Sequence, residues 1–432
     1  MLKQIANIFK IPELRKRLLF TLGALAIFRA GTHIPIPGID PEALQSMFEG
    51  AGGNILQYLN MFTGGALGRG TLFGLGITPY INASIIMSLL TAVVPYLKEL
   101  QQQGRQGRKV ITKYTRYGTL AIALIQSFGW SYFLVQQGIV SVGGPLFFLT
   151  AVVSMTTGTV FLMWLGERIT ENGIGNGISV LIMAGIIARF PSQLYSTWVE
   201  INYGNVSPIW GIILVVVFVA VIAGVVIIQQ GRRKIRIQYA KRTAGRKVYG
   251  GHTGHLPIKV NQGGVIPIIF ASVLLSLPMT VAQWAPGLSW LTDWVQRGSI
   301  PYLTAYVLLI VFFTYFYSAI IFDPRDVADN LKESGGFIPG VRPGRPTVDY
   351  IESILNRLLL VGALFLSAIA ILPHVFSAVS GLSSFWLGGT SVLIVVGVSV
   401  DILMQVESHM VMRHYESLTE SGGGGALLGR RD

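Results

Sequence analysis

The sequence predicts an all-α polytopic membrane protein with ten transmembrane helices, and three observations carry that reading. Of its 432 residues, 51% are hydrophobic and 12% charged, about half the charged share of a soluble domain. The apolar residues come in blocks of bilayer-spanning length, where about 20 residues cross the hydrocarbon core. The basic residues are sorted between alternate connections. With the N-terminus and every even-numbered connection on one side, 29 of the 33 Lys and Arg fall there, against Arg29, Arg69, Arg189 and Arg297 near the other. Excess Lys and Arg marks the cytoplasmic side, so both termini are expected to be cytoplasmic.

Taken in order, the expected spans are 18–33, 72–94, 117–135, 146–165, 174–190, 209–228, 265–284, 302–322, 358–375 and 386–404. A polar, basic segment 1–17 precedes them, with no small-residue cleavage site after the first apolar run, so no removable signal is expected. Several spans carry features that lipid alone does not tolerate. The first contains Arg29 and ends in HIPIPG (33–38), the second carries Pro79 and Asn82, and the fifth begins with the glycine-rich GIGNGIS (173–179). Polar or irregular backbone at membrane depth survives only where protein buries it or a wet cavity solvates it, so these spans are expected to surround something. Between the first two spans, GGNILQYLNMFTGG (52–65) is amphipathic and too short to cross. It reads either as a small mobile helix that re-enters the bundle or as a helix on the outer surface. Ten spans also divide into five and five, an odd number per half that would invert the second half relative to the first.

The net charge of +13 raises the question of nucleic acid. A nucleic-acid binder of that kind presents its basic residues on a soluble face, whereas here they sit between spans. Nine of them crowd into 231–260, where there is no Asp or Glu. A basic loop held at a membrane surface is expected to dock a partner. There are no cysteines, which excludes disulfides and thiolate metal sites. No phosphate-binding glycine loop, GxSxG or HExxH motif occurs, and no acidic pair lies at helical spacing inside a span. His252 and His255 have no third ligand nearby in sequence, so no metal or other cofactor is expected. The carboxylates nearest the spans, Glu167, Glu171, Asp401 and Glu407, lie toward the cytoplasmic ends, which disfavours an ion-coupled solute transporter. An intramembrane enzyme lacks candidate catalytic residues.

Strings along almost the whole chain resemble the SecY/Sec61-alpha family, the central subunits of Sec protein-conducting channels. They include PIPGID (35–40), NMFTGGAL (60–67), GITPYINASII (76–86), YTRYGTL (114–120), FLMWLGERITENGIGNGIS (161–179), QYAKR (238–242), HLPIKVNQGGVIPIIFAS (255–272), FDPRDVADNLKESGGFIPGVRPG (322–344), GGTSVLIVVGV (388–398) and HYES (414–417). The resemblance implies two pseudo-symmetric inverted halves, 18–192 and 193–406, around a central hourglass pore, with a cytoplasmic tail, 407–432. It implies a pore ring of Ile77, Ile81, Ile178, Ile182, Ile269 and Ile394. It also implies a short plug helix at about 54–64, with Asn54, Ile55, Leu56, Tyr58, Leu59, Asn60, Phe62 and Gly64. Gln126 and Asn261 match polar positions of a lateral gate through which membrane segments leave for lipid. The cytoplasmic loops 231–260 and 323–350 would meet the motor ATPase SecA or the ribosome, with Arg246, Lys247 and Arg342 as contacts. The implied activity is passage of unfolded preproteins, bearing signal sequences, across the bacterial inner membrane. It involves no covalent chemistry or small-molecule substrate and is carried out with the membrane subunits SecE and SecG.

Overall fold

A computed structural model describes residues 11–49, 60, 63–141, 143–204, 207–239, 242–244, 247–249, 253–284, 299–380 and 390–423. Helices occupy all ten expected span positions: α1 (Pro12–Gly31), α3 (Thr78–Val93), α5 (Arg105–Gln136), α6 (Pro145–Asn172), α7 (Gly177–Asn202), α8 (Pro208–Gln230), α9 (Ile266–Trp284), α10 (Ile300–Ile321), α12 (Arg345–Ser380) and α13 (Thr390–Gly423). Seven of these, α5 to α8, α10, α12 and α13, are long and apolar enough to cross a membrane alone. An eighth candidate is α3 joined to the short α4 (Pro95–Gln102), bent by 98° at the junction. Two short helices, α2 (Pro41–Glu49) and α11 (Pro324–Glu333), lie in connections. The helical class and the multi-pass membrane character therefore stand.

The second helix begins six residues later than its apolar block suggests, because 72–77 folds as turns. Gly70 and Gly76 adopt φ of +58° and +57°, a left-handed region that side chains with a Cβ avoid. The turns end the apolar run as helix without ending it as core.

Contacts divide the chain into two compact units: Met1–Tyr80 with Tyr117–Arg189 and Val398–Asp432, and Ile81–Arg116 with Phe190–Gly397. In the first, α1 packs on α6. Phe28, Phe73 and Phe161 form a stacked series, with centroids 6.3 and 5.9 Å apart. Gly158 of α6 lies against the Leu72 carbonyl, and Gly31 of α1 against the Phe73 ring, so the close approach rests on missing side chains. A second core gathers Leu44 and Phe48 of α2 with Leu67, Trp130, Leu134, Phe147 and Met155. The Asp40 carboxylate accepts from Glu42 and Ala43 N–H at 3.0 and 3.3 Å, capping α2.

In the second unit, α10 packs on both α9 and α12. Its buried face is Tyr302, Tyr306, Ile310, Phe313, Thr314 and Ser318, a helical stripe of spacing three to four. Phe313 meets Phe270 of α9 edge to face at 5.6 Å. Of the 23 residues of α8, only Leu214, Val225 and Gln229 are buried. An almost wholly apolar helix with so little protein cover presents its surface to lipid.

The connections add β-structure. In 231–260 lie β1 (Arg232–Tyr239), β2 (Arg242–Ala244), β3 (Lys247–Tyr249) and β4 (Thr253–Lys259). With β5 (Gly336–Phe337) they make a three-stranded antiparallel sheet, order β4-β1-β5, and a separate β2-β3 hairpin.

Substituting Gly158→Ala drives a methyl into the Leu72 carbonyl and is expected to cost about 1–3 kcal/mol, as overpacking does. A lowered melting temperature in detergent checks this; an unchanged one refutes the close packing.

Candidate functional site

Four groups of residues were expected to act, and each is built by its own local structure. Of the six ring isoleucines, Ile77 is the last residue of the turns before α3 and Ile81 lies in the first turns of that helix. Ile178 and Ile182 sit four apart near the start of α7, Ile269 in the first turn of α9, and Ile394 near the start of α13. Five are buried and Ile178 is half-buried. Residues four apart share one helix face, so Ile178 and Ile182 point the same way. All six stand at or near the start of a helix. Their side chains are purely aliphatic and carry no hydrogen-bonding group.

Most of the expected plug (Asn54, Ile55, Leu56, Tyr58, Leu59 and Phe62) lies outside the described residues; Asn60 and Gly64 lie within them. Asn60 is an organising centre. Its side-chain Oδ1 accepts from Gly68 N–H at 2.9 Å, and its carbonyl accepts from Gly65 N–H at 2.9 Å and from the Thr63 hydroxyl at 3.0 Å. Thr63 Oγ1 in turn accepts from Leu67 N–H at 3.2 Å. Gly64 is left-handed at φ +67°, and a Cβ there would stand 3.1 Å from the Gly185 Cα of α7. Its carbonyl accepts from the Arg29 guanidinium at 3.2 Å. The intramembrane arginine, conspicuous in the sequence only as a poor lipid residue, is a tether for the end of this segment. Its neighbour His33 fixes the same corner. Arg69 can only donate, so the His33 Nε2, 2.9 Å away, accepts, and Nδ1 is the nitrogen that donates, 2.9 Å from the Arg29 carbonyl.

Of the gate pair, Gln126 is half-buried on α5. Asn261 is 2% exposed; its Nδ2 donates to the Gly264 carbonyl at 2.8 Å, closing the turn into α9, and its Oδ1 accepts nothing among the described residues.

The basic connection is a platform. Along β1 the burial alternates, with Ile235 and Ile237 inward and Lys234, Arg236 and Gln238 outward. The inward pair packs with Ile258, Leu331 of α11, Ile338, and Ile351, Leu355 and Leu359 of α12. On the outward face Arg236 pairs across the strands with His255. Arg246 lies outside the described residues, and Lys247 opens β3. Arg342 is exposed in the turn before α12, where its carbonyl accepts from the Thr347 hydroxyl at 2.9 Å. The two connections, 231–260 and 323–350, are thus joined through the β1-β5 pairing; the partner strand could not be read from the sequence, but β1 could. Its signal was present in the alternation of RRKIRIQY, where isoleucines interrupt the charge at every second position.

Among the described residues no group of three or more His, Cys, Asp or Glu stands in metal-binding array. Apolar helices of spanning length, an irregular segment bonded to α1 and a basic connection partly folded as sheet define a multi-pass membrane protein, and the solved structures it resembles give its fold. A solved protein-conducting channel superposes with a TM-score of 0.64 at 20% identity, over 98% of this chain and 99% of that one. Sec61 from a canine ribosome-channel complex gives 0.61 at 19% identity, over 98% and 99%. The SecY family profile matches residues 71–403. The protein translocase subunit SecY of Thermotoga maritima is 48% identical over 434 residues, 98% of this chain and 99% of that protein. The chain belongs to the SecY family, and is by that membership a channel subunit and not an enzyme.

Asn60→Leu keeps the side-chain volume but removes the acceptor for Gly68 N–H, and a buried donor left unpaired costs about 1–3 kcal/mol. The expected outcome is a correspondingly lower melting temperature; an unchanged one refutes the organising role of Asn60.

Proposed function

We propose that this chain conducts unfolded polypeptides through a membrane and releases apolar segments sideways into lipid. The carrying observation is the 48% identity, nearly end to end, with a protein translocase subunit. Halves 18–192 and 193–406 would enclose an hourglass pore, with Ile77, Ile81, Ile178, Ile182, Ile269 and Ile394 as its collar. A narrow aliphatic collar closes to water and ions by dewetting and deforms around varied side chains without binding any of them. The burial of five of the six side chains supports that role. The segment at about 54–64 would be the plug, and its tether to Arg29 through Gly64 supports a stopper that stays attached when it moves. Gln126 and Asn261 would belong to the lateral gate. A buried polar contact in a membrane contributes on the order of 1 kcal/mol, little enough for a gate to open.

The ribosome is the first partner to consider, since a structural neighbour is Sec61 within a ribosome-channel complex. Arg246, Lys247 and Arg342 on the paired loops would meet ribosomal RNA phosphate or the acidic surface of the SecA motor. Contacts to phosphate would make the binding strongly salt-dependent. SecE and SecG would complete the membrane complex. The distribution of Lys and Arg supports cytoplasmic termini, and the similarity to bacterial SecY proteins supports residence in a bacterial inner membrane.

The test is reconstitution with SecE and SecG in proteoliposomes, followed by SecA, ATP and an unfolded preprotein, scored by protease protection. ATP-dependent protection is expected, and Ile81→Gly with Ile269→Gly is expected to add an ion leak. No protection despite intact SecA binding would overturn the reading.

A further inference from the structure

The turn that leads into α7 is held from three directions, and this grip lies directly before Ile178. From α1, the Arg17 guanidinium donates to the Gly173 carbonyl at 3.3 Å, and the Thr21 hydroxyl accepts from Ile174 N–H at 3.1 Å. From α13, Gln405 Oε1 accepts from Gly175 N–H at 2.9 Å, across 230 residues of sequence. From α6, the Thr170 hydroxyl accepts from Gly177 N–H at 2.8 Å. Asn176 Oδ1 takes Ile178 and Ser179 N–H at 3.1 and 3.4 Å. Every one of these N–H groups is satisfied by a side chain, where a helix start ordinarily leaves several to water. Both threonine hydroxyls are fixed as acceptors, because each donates its own proton to a carbonyl one turn back, Thr21 to Arg17 and Thr170 to Gly166, both at 2.9 Å.

Packing makes the grip stiff. Ile174 fills a small core with Leu14 of α1 and Val406 of α13. Gly175 is left-handed at φ +84°, and a Cβ there would come within 3.1 Å of Ile402. Ile178 itself lies so close to Gly166 of α6 that a Cβ on that glycine would stand 2.5 Å from its Cδ1. The position of Ile178 is therefore set by where the cytoplasmic ends of α1 and α13 hold the turn. The helix α13 runs on without a break well past Gln405, so a force on its extension reaches the turn through that amide and through the Ile402 and Val406 contacts.

We propose that Gln405 and Thr21 are positioning residues that hold Ile178 in the closed collar, so that displacing the end of α13 loosens the collar at Ile178. This rests on the collar reading above. The test uses the complex with SecE and SecG in proteoliposomes, comparing Gln405→Leu, Thr21→Val and both together with Gln405→Glu and Thr21→Ser, which keep an acceptor oxygen. Ile178→Gly is the reference. Two quantities are read: hydrogen exchange of the 173–179 amides, and resting ion leak. Removal of one acceptor is expected to speed local exchange roughly five- to tenfold, with the other helices unchanged, and to raise the leak several-fold toward that of Ile178→Gly. The acceptor-keeping variants are expected to restore both. Should Thr21→Val fail to accumulate, Gln405→Leu, altering an exposed side chain, carries the test. Unchanged exchange overturns the inference, as does faster exchange without leak in a channel where Ile178→Gly does leak. If Ile178→Gly causes no leak, the collar reading itself fails and takes the positioning role with it, whatever the exchange shows.

Discussion

The irregular turns among the described residues of the helical bundle answer to one constraint: backbone at membrane depth finds no water to bond with, so its N–H and C=O groups need partners inside the fold. Within 63–76 many of these groups find partners without a regular α-helix. Gly65, Ala66, Gly70, Thr71, Gly74 and Gly76 donate to carbonyls of neighbouring turns, Ile36 N–H reaches the Gly70 carbonyl, and Leu72 N–H reaches that of Ile34. Side chains take two more: Asn60 accepts from Gly68 and Thr63 from Leu67. The same accounting governs the turn before α7. Threonine, asparagine and glutamine in these places act as substitute backbone, and the glycines beside them let the substitutes come close.

The charged groups within the bundle follow the same logic. An arginine buried at a span end is expensive unless its donors are used. Arg29 uses its donor on a carbonyl that the left-handed turn at Gly64 leaves facing it. Arg69 uses His33, whose acceptor nitrogen is fixed by the bond on its other side. Neither arginine needs a carboxylate for these bonds, which bring donors to carbonyl and imidazole acceptors. The part-buried bond from Arg29 contributes about 1.5–3 kcal/mol, whereas the bond from the exposed Arg69 is screened by solvent and contributes less.

The ten helix positions were legible because membrane helices announce themselves through uninterrupted apolar length, a property of the local chain alone. What the sequence hid was tertiary. The apolar run 72–77 is as hydrophobic as a helix but is turned by Gly70 and Gly76. At the Val94–Pro95 junction the chain bends by 98°; proline disfavours the helical region for the residue before it, and Val94 is extended at ψ 115°. The sheet was masked by its own charge: nine basic residues drew attention to what 231–260 might bind and away from the alternating Ile235 and Ile237. The ring isoleucines have no signature except resemblance, since one isoleucine in a span reads like any other. The bond from Gln405 to Gly175 joins residues with no local relation and could be seen only in three dimensions.

Side-chain satisfaction is not complete: Trp130 Nε1 and Thr159 Oγ1 are buried without partners among the described residues of one unit, and several amides are in the other. Both amide atoms of Asn82, Nε2 of Gln229 and Oδ1 of Asn261 are buried without partners among the described residues, and all three lie in the unit formed by Ile81–Arg116 and Phe190–Gly397. Each unpaired group costs about 1–3 kcal/mol, whereas an aliphatic side chain of similar volume would be buried at a gain. Such groups in a native structure mark a reservoir of instability or a role in another state. A total of several kcal/mol is comparable with the whole net stability of an ordinary domain. A channel that must part its own helices to admit a polypeptide works against its packing energy. Amides left unpaired reduce the stability that such a parting must overcome. The tightly satisfied turns around Asn60 and Gly175 keep polar backbone ordered, whereas the unsatisfied amides lower the net stability of the arrangement that contains them.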